Sequence, residues 1–123
     1  MLVLVAACGG GAAAPPALSA VLEPAQGARV LRVVLTAAGS PVTVRGLQVR
    51  GGGFVQVPTS LQDGVVAAGS QAGFVVAYGT ALCEGRPAPV AVLVDTPGGR
   101  REVQVPGDGV LAGLRARECA SAR

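Results

Sequence analysis

Along most of the chain, hydrophobic and polar positions alternate with the two-residue period of a strand. In Arg29-Val30-Leu31-Arg32-Val33-Val34-Leu35-Thr36, the side chains of Leu31, Val33 and Leu35 share one face, while Arg32 and Thr36 take the other. That is the pattern of a half-buried strand. Ala37-Ala38-Gly39-Ser40-Pro41 reads as a turn, and Val42-Thr43-Val44-Arg45-Gly46-Leu47-Gln48-Val49 as the returning strand. Its apolar phase passes from even to odd positions at Arg45-Gly46, as a bulge produces. Gly51-Gly52-Gly53 leads to a predicted short strand, Phe54-Val55-Gln56-Val57, closed by Pro58. From Ser70 to Tyr78, the residues Ala72, Phe74, Val76 and Tyr78 line up on one face. Pro89 to Thr96 is an almost continuous apolar run, as expected of a central strand buried on both faces. Pro97-Gly98-Gly99 then reverses the chain into Arg100-Arg101-Glu102-Val103-Gln104-Val105, a hairpin signal. Leu18 to Leu22 adds a further strand before Pro24.

A helix is predicted only at the end of the chain. Asp108 is placed to cap Gly109 to Glu118, with Val110, Leu111 and Leu114 on one face and Arg115 and Arg117 where cations suit the dipole. Six or seven short strands with Gly/Pro turns and one short C-terminal helix make the expected fold all-β, an immunoglobulin-like antiparallel β-sandwich. The chain has no Trp, so the Cys-Trp-Cys arrangement of antibody domains is absent. The expectation is one of architecture rather than of membership.

The first sixteen residues break the alternation. Leu2-Val3-Leu4-Val5-Ala6-Ala7 stops at Cys8 and passes into Gly9-Gly10-Gly11-Ala12-Ala13-Ala14-Pro15-Pro16. Val5-Ala6-Ala7-Cys8 resembles the lipobox of bacterial lipoproteins, in which a branched apolar residue, two small residues and a Cys are read by lipidation and cleavage enzymes. The resemblance implies a diacylglycerol on Cys8, which becomes the mature N-terminus, and residues 9–16 as a flexible tether. A secretory signal carries a basic n-region and an apolar stretch of about 7–15 residues. Here six apolar residues and no Arg or Lys precede Cys8, so residues 1–7 read as a truncated signal-peptide remnant. Residues 17–123 are the expected β-sandwich domain, anchored at the extracytoplasmic face of the cell membrane rather than spanning it. The body also resembles small secreted domains of actinobacterial lipoproteins. That likeness lies in Pro41 to Leu47, in the Gly-X-X-X-Gly-Phe-Val-Val-Ala-Tyr-Gly segment from Gly69, and in Arg117-Glu118-Cys119-Ala120. It implies no catalytic residues.

An oxidising compartment suits the other two cysteines. Cys83 and Cys119 are expected to form one disulfide that staples the tail to the body, the alternative being two buried thiols. Two Cys and no His are too few for a structural zinc site, which usually wants four ligands.

Composition removes most chemistry. Without His there is no Ser-His or Cys-His nucleophile pair, and without Lys there is no Ser-Lys dyad, Schiff base or phosphate-loop lysine. Gly69-Ser70-Gln71-Ala72-Gly73 resembles a nucleophile elbow, but Ala68 stands where the first Gly belongs, so it reads as a turn entering a strand. Gly107 to Gly113 resembles a dinucleotide fingerprint with the last Gly displaced, and a helix start is the better reading. All ten basic residues are Arg, spread along the chain for a net charge of +3. Arg100-Arg101 and the C-terminal Arg115, Arg117 and Arg123 form a solvated basic face or meet anionic headgroups near the anchor. Few aromatic residues and no dense basic cluster argue against nucleic acid.

The expected function is therefore a non-catalytic binding or structural module at the cell envelope, with an envelope protein as partner and with no cofactor and no metal. Two alternatives stand beside it. One is a small extracytoplasmic enzyme, or enzyme subunit, using carboxylates such as Asp95, Glu84 and Asp108, with Glu84 and Glu118 drawn together by the disulfide. The other is a cytosolic protein whose residues 1–16 are an uncleaved tail.

Overall fold

The chain builds two antiparallel sheets whose inward faces are almost wholly aliphatic. The computed structural model describes residues 17–107 and 109–121. In chain order the elements are β1 (Ala17–Pro24), β2 (Val30–Ala38), β3 (Val42–Arg50), β4 (Ser60–Val66), β5 (Gln71–Ala77), β6 (Ala91–Thr96), β7 (Gly99–Gln104) and helix α1 (Gly109–Ser121). One sheet has the order β1-β2-β5 and the other β4-β3-β6-β7. The chain crosses between sheets after β2, β4 and β5, which is the Greek-key arrangement of an immunoglobulin-like sandwich.

Alternation places each inward residue. Leu31, Val33 and Leu35 of β2 are fully buried, and Val42, Val44, Leu47 and Val49 of β3 oppose them from the other sheet. Phe74 and Val76 of β5 and Val92 and Val94 of β6 complete the same core, and no polar or charged residue is buried among the described residues. The β3 register slips between Val44 and Gly46, and buried positions change from even to odd there, so the bulge is present. Gly46 is needed at that point because a Cβ would lie 2.8 Å from Thr59 Cγ2 and 2.9 Å from an Asp95 carboxylate oxygen. Ala91 to Val94 of β6 are all buried, because the outer face of this central strand is covered as well as the inner.

One expectation fails and one strand goes unpredicted. Phe54 to Val57 is not a ladder strand. Phe54 makes an isolated bridge to Ala81, the Val55 N–H donates to Thr80 O at 2.8 Å, and Gln48 Nε2 donates to Val57 O at 2.5 Å. Phe54 packs against the margin of the core beside Tyr78, while Val55 is exposed. β3 pairs along one edge with β4, which the pattern of the sequence does not reveal. Its outward residues are the apolar Leu61 and Val65, whereas Ser60, Gln62 and Gly64 face the sandwich.

The hairpin is as expected, with Thr96 opposite Gly99 across the Pro97-Gly98 turn. The helix starts at Gly109 but runs on to Ser121, so Arg115 and Arg117 lie before the last turn rather than at the dipole's negative end. The capping role of Asp108 lies outside the described residues. Removing core volume tests the layered packing. Leu35→Ala, at a fully buried site in the middle of β2, is expected to lower stability by about 2–5 kcal/mol. Urea unfolding should show a lower midpoint at an unchanged slope.

Candidate functional site

The strand registers give the sandwich two distinct ends, about 27 Å apart along β2. One end holds Ala17, paired with Ala38, together with the start of β3 and the Pro97-Gly98 turn. At the other end β2 and β6 begin, β3 and β5 finish, and α1 closes the opening. Leu111 is 1% exposed in that closure, with Val110 and Leu114 packed against the core beside it. Gly52 makes room for it. Its φ of +73° lies in the left-handed region, and a Cβ would sit 2.8 Å from Leu111 Cδ1.

The second half of α1 is fastened to the long connection between β5 and β6. Cys119 is bonded to Cys83 with a Cα–Cα separation of 5.5 Å, as the cysteine arithmetic expects. Arg115 donates from Nε to Leu82 O at 2.8 Å and from Nη2 to Gly85 O at 3.2 Å. The Glu118 carboxylate accepts the backbone N–H of Ala81 and, at 2.5 Å, Nη2 of Arg29. Arg29 also donates to Gly79 O at 2.8 Å, and its guanidinium lies 5.8 Å from the centre of the Tyr78 ring. Phe54 meets Tyr78 edge-on at 5.4 Å. The Ala81 N–H holds the Glu118 carboxyl below its ordinary value of 4.5; partial burial opposes this, and Arg29 adds to it.

A cleft runs along each side of this helix. The larger, of about 730 Å³, lies between α1, Pro87 to Val90 and Gln104 to Gly107. Its walls are mainly apolar, with the disulfide on one side and Arg115 as the charged group. The smaller, of about 550 Å³, lies between α1 and the β1–β2 turn, lined by Pro24, Val30, Tyr78 and Leu114 with Arg117 at its edge. Both fall within the size range of small-ligand and short-peptide sites, about 300–1,000 Å³.

No family model, curated protein or solved structure matches this chain. The site's chemistry therefore rests on its own residues. The candidate carboxylates divide between the two ends, with Glu84 and Glu118 flanking the bonded cysteines and Asp95 far from both. Asp95 stands near the Ala17 end, where Arg100 donates to it at 2.7 and 3.2 Å and holds its carboxyl below the ordinary 3.8. Glu118 stands at the helix end, engaged as described, and Glu84 lines a separate small cleft with Arg86 and Arg115. Asp108 and Cys8 lie outside the described residues. Ser70 sits in the turn entering β5, its N–H donating to Ala67 O at 3.0 Å. The arginines also divide, with Arg100 and Arg101 near the Ala17 end and Arg115 and Arg117 on α1 at the other, so they form no single basic face. Among the described residues, no group of three or more Cys, Asp or Glu could hold a metal, and no helix is long and apolar enough to cross a membrane.

Reduction of the Cys83–Cys119 bond, which closes a 36-residue separation, is expected to cost about 3–4 kcal/mol, measured as a lower urea midpoint with a thiol reductant present. The carboxylates give a pH dependence of definite sign. Glu118 and Asp95 have lowered folded-state values, so their contribution is full above their ordinary values of 4.5 and 3.8 and is lost as pH falls through the folded values. Glu118→Gln is expected to flatten part of the fall in urea midpoint below pH 4.5, and adding Asp95→Asn should flatten more of it.

Proposed function

We propose that this chain is a lipid-anchored, extracytoplasmic module of the cell envelope that binds or supports a partner and carries out no catalysis. The observation that carries this reading is the polarity of the sandwich. Ala17, the first residue after the Gly/Ala/Pro tether, opens β1 at the end opposite α1 and its two clefts. An anchor on Cys8 then leaves the helix-closed end facing away from the membrane, where a partner or ligand can reach it. The lipobox-like Val5-Ala6-Ala7-Cys8 supports the anchor, and a disulfide between the remaining cysteines suits the compartment outside the cytoplasm. The non-catalytic part of the reading is supported by the engagement of Asp95 with Arg100 at one end and of Glu118 with Arg29 and Ala81 at the other, and by the lack of His and Lys.

Intact mass measured on membrane and soluble fractions of a lipidating bacterial host tests the proposal. The expected species is membrane-bound, begins at Cys8, carries a diacylglycerol-sized addition and gains two hydrogens on reduction. Cys8→Ser should move the chain to the soluble fraction. An unmodified wild-type chain recovered in the soluble fraction would overturn the reading.

A further inference from the structure

The small cleft of Glu84 and Arg86, of about 220 Å³, adjoins the larger one across Pro87, Ala88 and Arg115, which line both. Apolar walls thus lead to a charged end. Arg115 is held there by the carbonyls of Leu82 and Gly85, and its Nη1 has no partner among the described residues. Gly53 leaves it room, since a Cβ on that residue would lie 2.6 Å from Arg115 Cδ. The φ of Gly53 is +82°, a conformation that glycine adopts without strain. Arg86, Arg115 and Glu84 have no ion-pair partner among the described residues, so this end keeps one positive charge in excess. The wall opposite α1 offers few backbone partners. Pro87, Pro89 and Pro106 have no N–H, and the Ala88 and Val90 carbonyls already accept the N–H groups of Gly52 and Val105, at 2.9 and 3.0 Å.

We propose that the larger cleft binds a single-chain carboxylate, with the acyl chain between α1 and the Pro87 to Val90 wall and the carboxylate on Arg115. The ligand class follows from the lining. An apolar wall with few free donors suits a chain that needs none, whereas a peptide laid there would leave its own carbonyls and amides unpaired. The one charge in excess matches a carboxylate. A phosphate dianion would bring a second negative charge toward Glu84, and like charges repel. Arg115 is already fixed by two carbonyls and loses little freedom on binding. Arg117, at the edge of the smaller cleft, is exposed. This inference names a ligand for the module proposed above, resting on the part of that reading that makes the chain a binder, and it is independent of the anchor on Cys8.

The test titrates the isotope-labelled, oxidised full chain with octanoate at neutral pH and follows its amide signals. Saturable shifts are expected at Ala88, Val90, Val105 and along α1. Octanol, the same chain without the charge, is expected to bind about tenfold more weakly. Arg115→Gln should weaken octanoate to the level of octanol and leave octanol binding unchanged, which a disrupted cleft would not do. Ala116→Phe, at an exposed position on the α1 wall, should weaken both about tenfold with the urea midpoint near wild type. The proposal falls if octanoate at millimolar concentration gives no saturable shift, if the shifts lie at the smaller cleft, or if octanol binds as tightly as octanoate. It also falls if the chain binds phosphatidylglycerol vesicles but not octanoate, which would make a two-chain lipid the ligand. Octanoate binding by a chain that is never lipidated would overturn the anchor alone, and a lipidated chain that ignores octanoate would overturn this inference alone.

Discussion

An aliphatic sandwich must be closed at its ends, and in this chain the closure by α1 is the contact on which the rest depends. Among the described residues no polar or charged residue is buried, and Phe74 is the one aromatic side chain among the buried ones, so the core is specified by shape and burial. At the end where β2 and β6 begin, the inward faces would open to water around Leu31, Val92 and Val105. Leu111 covers that opening, over a backbone that only Gly52 lets approach closely enough. Burying a Leu side chain there is favourable by about 2 kcal/mol, too little to hold a short helix by itself. The disulfide, Arg115 and Glu118 supply the remaining attachment, all to the connection between β5 and β6.

This closure also gives the molecule its direction. The strands all run between two ends of different character, one holding the first residue after the tether and the Pro97-Gly98 turn, the other holding the helix and its clefts. Glu118 is central to the second end. It joins the start of β2 through Arg29, the loop after β5 through Ala81, and α1, three elements far apart in sequence. The engagement of this acid leaves it a structural role in the closure.

Strands with apolar inward positions were legible in the sequence, because burial wrote its period directly into β2, β3 and β5 and left β6, buried on both faces, as a continuous apolar run. The β3 bulge was legible for the same reason, as a change of phase. β4 was hidden because its pattern is reversed, with Ser60, Gln62 and Gly64 inward and Leu61 and Val65 outward. Phe54 to Val57 misled in the opposite sense, since an irregular segment with Phe54 against the core margin and Val55 exposed alternates like a strand. At the site, the Cys83–Cys119 bond and the apolar face of α1 could be read from cysteine count and helical spacing. Arg29 with Glu118 could not, as a pair 89 residues apart leaves no local signal, and neither could the backbone acceptors of Arg115.

On this packing α1, the disulfide and the two sheets form one cooperative unit rather than a sandwich with an appended helix. Native-state amide hydrogen exchange of the oxidised full chain measures this directly. Amides in the middle of α1 are expected to exchange with the same opening free energy as those of β6 in the core. Exchange from α1 at a much lower free energy, with β6 still protected, would show a helix that opens on its own and would contradict the account.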